Sequence, residues 1–476
     1  MPSRDAQLSK GPTLTCKYFE EPLLSFADGG QHIDPKIGIA RFGPKSLNAP
    51  DRHPSRVRVG FIGTAATIEG AREWIEVNAQ GVHGDAEHPA FPGCSADRGF
   101  HTSLDFSDAW AEQITRSEMD NLIAIHARKD RFNSALALLD EKLAVLSRKD
   151  LTPDYVILAL PDNLRDKCGV LDYVDQRLGR VHRDLRRAFK ANAMKYRLPT
   201  QLVDQTTMEF RDPDNPTKIA WNFFTGLYFK NGGMPWGPTG LTPGSCYVGI
   251  GFYRGQGSSD RSVHTSLVQA FDEHGEGLVL RGPDFSWDVE EHHTGSPHMK
   301  AEFAFSLLNL VLDRYQGEMK QLPQRIVIHK SSTWWAEEAA GCREALKNRV
   351  GKYDLVAVKA QDTVRLLPVS KYPALRGTRF TLNELAYLYT TGFVAELQQF
   401  HGTHVPAPIQ ISDHLGYDTP RETILREILT LTKMNWNSSR LGGLFPITMK
   451  FSRLVGEIMR EIGPDRDPLP QMKYYV

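Results

Sequence analysis

The stretch Cys246-Tyr-Val-Gly-Ile-Gly-Phe-Tyr-Arg254, the run 262–271, the turn Asp272-Glu-His-Gly-Glu-Gly277 and the return Leu278-Val-Leu-Arg281 read as three strands in succession. Apolar and β-branched residues fill the runs while Gly, Asp and Glu fill the gaps, which is the pattern of a hairpin meander. Downstream the rhythm changes. Residues 299–315 repeat apolar side chains at helical spacing, Arg325-Ile-Val-Ile-His329 is a short continuous apolar run, 336–347 is helical again, and Leu355-Val-Ala-Val358 is a further buried run. Strands separated by helices lie parallel, because the helix carries the chain back across the sheet.

A meander that passes into strand-helix-strand order describes an RNase H-like α/β sheet better than a uniform doubly wound one. Upstream, a second α/β layer is legible. Val57, Val59 and Phe61 alternate in Arg56-Val-Arg-Val-Gly-Phe-Ile-Gly63, and 67–75 follows as a helix with Thr67 as its cap. Residues 133–146 suit a crossover helix, and Tyr155-Val-Ile-Leu-Ala-Leu160, stopped by Pro161-Asp162-Asn163, reads as a buried parallel strand. Between the two layers, Gly232 to Gly244 is the densest Gly/Pro stretch in the chain and marks a domain boundary.

Composition narrows the class. Of 476 residues, 41% are apolar and 24% charged, an ordinary globular mix. Lys+Arg and Asp+Glu both number 57, so affinity for a polyanion has to come from charge placement. Cys16, Cys94, Cys168, Cys246 and Cys342 are widely separated, which argues against a disulfide framework or a thiolate zinc site. No apolar run approaches the roughly 18 residues of a membrane span, and the first residues lack a signal-peptide core, so a cytoplasmic protein is expected.

Several motifs fail. Gly249-Ile-Gly251 would need glycine at 254 to complete a dinucleotide fingerprint, and Arg254 stands there. The cluster Asp284, Asp288, Glu290, Glu291, His292 and His293 offers metal-ligand chemistry without a periodicity that would converge it, and reads as a solvated loop.

The most informative local signal is Val181-His-Arg-Asp-Leu-Arg-Arg-Ala-Phe-Lys190. Read as one helix, it sets Val181, Leu185, Ala188 and Phe189 on an apolar stripe, with His182, Arg186 and Lys190 four apart beside it. Seven Lys/Arg against one acid between Arg180 and Arg197 point to an anionic partner. Gln201 in Leu198-Pro-Thr-Gln and Lys230, at the end of a further helix, complete a set of two Lys, one Arg and one amide able to cradle a terminal phosphate. Arg183 and Arg187, three residues before and one residue after Arg186, are alternatives to it.

Basic helix, Pro-Thr-Gln, then Leu227-Tyr-Phe-Lys-Asn-Gly-Gly-Met-Pro-Trp236 resemble the guide 5′-phosphate pocket of a MID domain. Tyr247-Val-Gly-Ile-Gly251, Arg325-Ile-Val-Ile-His-Lys330, His404-Val-Pro-Ala-Pro-Ile409, Leu431-Thr-Lys-Met-Asn-Trp-Asn437 and Phe445-Pro-Ile-Thr448 resemble a PIWI domain in order and spacing. The family resembled is the short prokaryotic Argonautes. The resemblance implies a Rossmann-like MID domain followed by an RNase H-like PIWI domain: an N-terminal segment and start of the MID lobe at 1–109, MID at 110–238 and PIWI at 239–476. It implies a pocket of Arg186, Lys190, Gln201 and Lys230, with His182 adjacent and the Val476 carboxylate helping to hold Mg²⁺ on the guide 5′-phosphate.

An active PIWI domain holds two divalent metals on carboxylates. At the matching positions this sequence has Gly251, Ser331 and Arg453, the last beside Ser452, and no residue answers to the glutamate finger beyond a guess at Glu290 or Glu291. The resemblance therefore implies a sensor without slicer activity, in which guide RNA paired with invading single-stranded DNA activates a separate APAZ-containing, sirtuin-like or TIR NADase in defence against plasmids or phage. Two other readings stand beside it: a guide-directed nuclease using carboxylates such as Asp284 and Asp288, and a metabolic enzyme with no affinity for 5′-phosphorylated RNA.

Overall fold

A computed structural model describes residues 14–175, 179–253, 262–270, 277–287, 296–400, 402, 404–462 and 469–476. Arg254, Asp288 and the Glu290 to His293 cluster fall outside the described residues.

The first domain is built on a four-stranded parallel sheet in the order Thr200–Asp204, Tyr155–Leu160, Arg56–Gly63, Ser103–Gln113. The period-two alternation of its strands distributes side chains to two cores. Tyr155, Ile157 and Ala159 join Val57, Val59 and Phe61 against helices Ala65–Ala79 and Pro216–Lys230. Val156, Leu158, Leu160 and Ile62 pack on the other face against Arg128–Ser147 and Leu185–Ala193. The continuous apolar run at 155–160 is thus a strand covered on both faces.

The second domain is a nine-stranded mixed sheet, with strands in the order Leu14–Tyr18, Thr378–Leu382, Leu385–Leu388, Ile409–Gly416, Lys352–Ala360, Arg325–Lys330, Ser245–Tyr253, Ser262–Ala270, Gly277–Ser286. The last three form the expected meander, and Arg325–Lys330 and Lys352–Ala360 lie parallel to the first strand of it. Helices Ala301–Met319 and Ala336–Leu346 cover one face. Arg421–Leu431 and Ile447–Met459 cover the other, in a core continuous with that of the first domain. Gly249 permits close packing there: a Cβ would run into the Thr448 carbonyl at the start of the last helix.

Three expectations are corrected. The boundary drawn between 109 and 110 cuts the strand Ser103–Gln113, which pairs with Arg56–Gly63, a central strand of the first sheet lying in the stretch read as the start of the MID lobe. Residues 14–25 do not belong to it at all: Leu14–Tyr18 pairs with Thr378–Leu382 in the second sheet, and Leu24–Ser25 pairs with Gly237–Pro238 in the interdomain stretch. Third, Thr64 and not Thr67 caps the first long helix; Thr67 is the reciprocal partner in a capping box.

A buried ion-pair cluster fastens the N-terminal segment. Glu21 lies 2.8 Å from both Arg376 and Lys433, and Lys433 Nζ donates to the Pro22 carbonyl at 2.6 Å. Burial alone would push the Glu21 carboxyl up, but Arg376 and Lys433 outweigh it and hold it below its ordinary value.

Candidate functional site

Asp184 ends one element and begins the next. Residues 179–184 pair with Val170–Asp175 as a hairpin strand, and the Asp184 carboxylate then accepts the Arg187 amide at 3.0 Å as N-cap of Leu185–Ala193. The single helix expected from 181 onward is therefore corrected to strand then helix. His182 sits on the strand, exposed, with Nδ1 2.7 Å from the Asp172 carboxylate. Its spacing to Arg186 and Lys190 reflects no shared helical face.

Within the helix, Leu185, Ala188 and Phe189 face the core as expected, Arg186 is exposed, and Lys190 turns inward to 5% exposure. Arg183 and Arg187 are engaged elsewhere. Arg183 is 2.9 Å from Glu461 and Arg187 is 2.7 Å from Glu457, both on or just beyond the last helix of the second domain. These pairs knit the two domains together and leave Arg186 as the arginine beside the buried lysines.

Four elements bring the predicted phosphate ligands together. Lys190 Nζ donates to the main-chain oxygen of Val476. Lys230, the last residue of Pro216–Lys230 and fully buried, donates to the Thr200 carbonyl at 3.0 Å and to Gln201 Oε1. Burial, then Arg186, pushes Lys190 down from 10.5 to about 7. Burial, then Lys190 and Arg186, pushes Lys230 well below its ordinary value. Two buried ammonium groups and a guanidinium feel one another, while Asp184 favours the charged form of Lys190. Such clustering is costly in an apolar interior unless an anion completes it.

Tyr155 was not singled out from the sequence. Its hydroxyl is buried with no hydrogen-bond partner among the described residues, its ring lies 5.9 Å from Lys230 Nζ, and Arg186 acts on it electrostatically. In an apolar run it reads as core; only the fold shows that its ring lies beside Lys230.

A pH dependence follows. Unfolded Lys190 holds its proton to about 10.5, folded Lys190 only to about 7, so the unfolded state binds more protons between these values. The guide-free chain should gain stability as pH rises from about 7 to 10. Lys190→Met should flatten that part of the curve of unfolding midpoint against pH.

The second cluster is a cavity of about 820 Å³ in the second domain. Gly251, Ser331 and Arg453, far apart in sequence, all line it. Among the described residues its charged lining residues are Arg440, Lys450, Arg453, Arg460 and one carboxylate, Glu457. Glu457 lies 3.5 Å from Arg453 and also takes the contact from Arg187. His329, just before this wall, is buried with Nδ1 3.0 Å from Thr448 Oγ1, and Lys330 pairs with Glu338 at 2.5 Å. Among the described residues no three His, Cys, Asp or Glu side chains are grouped as metal ligands. Asp284 lies on Gly277–Ser286, opposite His264.

No family model matches the chain. A protein named argonaute from Thermus thermophilus is 25% identical over 279 residues, which are 58% of this chain and 36% of that protein. The structure of Clostridium butyricum Argonaute bound to a guide DNA and a 19-mer target DNA superposes with a TM-score of 0.65 at 16% identity, covering 97% of this chain and 55% of that one. The chain has an Argonaute fold. The structures of A. aeolicus Argonaute (TM-score 0.58, 15% identity, 97% of this chain and 55% of that one) and Drosophila Piwi (0.56, 13%, 97% and 56%) agree. The chain spans about half the length of these Argonaute and Piwi chains. No helix among the described residues is long and apolar enough to cross a membrane.

Proposed function

We propose that the chain is a nucleic-acid-guided sensor that holds a 5′-phosphorylated guide RNA, pairs it with complementary single-stranded DNA and leaves that DNA uncut. The observation carrying this reading is the convergence of Arg186, Lys190, Gln201 and Lys230, two of them buried cations whose ammonium groups meet the Val476 main-chain oxygen, the Thr200 carbonyl and Gln201 Oε1 but no side-chain carboxylate among the described residues. A terminal phosphate supplies the charge that these groups lack, and the orphaned Tyr155 hydroxyl is a further donor. Guide and target DNA bound to the Clostridium butyricum protein support a paired ligand for the same fold.

Mg²⁺ fits this site as a minor partner. The chain contributes the Val476 oxygen, already accepting from Lys190, so a hard cation here takes its other ligands from phosphate and water. Bound there, it would neutralise part of the guide's terminal charge.

Absence of cutting is supported by the cavity chemistry: among the described residues four cations line it with one carboxylate where two-metal hydrolysis requires several. Guide-loaded protein with complementary DNA and Mg²⁺ or Mn²⁺ should leave the target intact over hours; cleavage at one defined phosphodiester refutes this. Affinity for 5′-phosphorylated RNA should fall between pH 6 and 8.5, because Lys190 loses its proton near pH 7 in the free chain. By the same linkage, bound phosphate raises the Lys190 pKa.

Resemblance to short Argonautes supports the remainder, an APAZ-containing sirtuin-like or TIR NADase as partner in defence against plasmids or phage. Activation then requires the duplex to favour the active arrangement by about 5.5 kcal/mol to move it from 1:99 to 99:1. Co-expression with operon neighbours, addition of guide RNA and complementary DNA, and measurement of NAD⁺ test this. Constant NAD⁺ with a chain that purifies alone and RNA-loaded removes the partner while leaving the sensor.

A further inference from the structure

The cavity at Gly251 is more than a nuclease site without its carboxylates. Arg440 approaches from the loop before the last helix, while Lys450, Arg453 and Arg460 come from that helix and its end. The one lining carboxylate is already shared by Arg453 and Arg187, so it offsets little of this charge. Among the described residues, the side chains of Arg440, Lys450 and Arg460 have no ion-pair partner, and Arg440, Lys450, Arg453 and Arg460 are all solvent-exposed. Burial, and after it the neighbouring Arg440, lowers the Lys450 pKa, the second effect placing these two cations close together. Gly251, Gly442, Gly443 and Ser331 also line the cavity with little side-chain bulk, and about 820 Å³ accommodates one sugar-phosphate unit of an extended strand.

We infer that this cavity is a phosphodiester clamp: Arg440 and Lys450, supported by Arg453 and Arg460, grip one internal backbone phosphate of the bound nucleic acid directly, without metal. Guanidinium and ammonium groups bind phosphate oxygens through charge-assisted hydrogen bonds, and backbone contacts fix position without reading sequence. The inference rests on the guided reading and adds to it a second anchor, remote in sequence from the guide 5′ end. The strand that is gripped stays whole because the residues that hold its phosphate are cations, which neither bind metal nor activate water.

The test uses the full chain loaded with 5′-phosphorylated guide. Single uncharged methylphosphonate linkages are placed at successive positions, in one arm along the DNA target and in the other along the guide, and target affinity is measured. The clamp predicts a loss of about tenfold at one or two adjacent linkages of one strand, the size of a lost charge-assisted contact. Arg440→Gln with Lys450→Gln, both exposed and hence poor candidates for misfolding, should weaken the all-phosphate complex by about the same factor and abolish the extra loss at that linkage. The arm that carries the effect names the gripped strand. Guide and target loading that is normal but equally indifferent to every neutral linkage overturns the clamp alone. A chain that takes up no 5′-phosphorylated guide overturns the guided reading and the clamp with it.

Discussion

Replacing Lys190 and Lys230 together with alanine should weaken 5′-phosphorylated RNA by about two to four orders of magnitude, while 5′-hydroxyl RNA changes only a few-fold. Each charge-assisted contact is worth about 1.5–3 kcal/mol, and two are lost. Arg186→Ala should cost less, because Arg186 is exposed and its charge is screened by water. The double variant should not unfold the guide-free chain, since burying two ammonium groups without an anion is itself unfavourable. Direct titration of both RNAs against both proteins decides the matter. Equal losses for the two RNAs would place the phosphate elsewhere.

The second large effect concerns stability. Glu21→Ala removes the carboxylate that pairs with both Arg376 and Lys433, each nearly inaccessible to water. Breaking a buried pair by deleting one partner costs about 3–5 kcal/mol, because the opposite charge stays buried. For a domain of this size that is a fall of about 6–20 °C in the unfolding midpoint. Glu21→Gln should behave similarly, since it keeps the volume and loses the charge. A midpoint unchanged within a degree would mean that the N-terminal segment does not hold the second domain in solution. Because the carboxyl is held below its ordinary value, its contribution is present above the unfolded carboxylate range and is lost as pH falls through the folded value.

Much of this was legible in residue order. Runs such as Tyr155-Val-Ile-Leu-Ala-Leu160 and the meander from Cys246 carry their own periodicity, so the strands were found where they lie. Arg186, Lys190, Gln201 and Lys230 could be grouped from the sequence because charge type and spacing are local signals, even though the helix behind two of them starts later than its pattern implies. Asp184, a strong N-cap residue directly before Leu185, carried the information that would have corrected that start. What escaped was non-local. No pattern in Leu14-Thr-Cys-Lys-Tyr18 announces pairing with residues 378–382, and nothing at 56–63 and 103–113 announces that two runs so far apart share a sheet. Tyr155 was lost for another reason: an aromatic in an apolar run signals core whether or not its hydroxyl has a partner.

Each domain borrows an end from the other: Leu14–Tyr18 completes the edge of the second sheet, and Val476 touches Lys190 in the first. During synthesis the N-terminal segment leaves the ribosome with no sheet to join, and must wait until about residue 382 has emerged. The phosphate site waits longer, because Lys190 and Lys230 are in place early but Val476 arrives only when translation has reached it. A nascent chain is thus unable to present a finished site while its second half is still being made. On the proposed function, guide capture would be a late event, reserved for chains in which both halves have folded around one another.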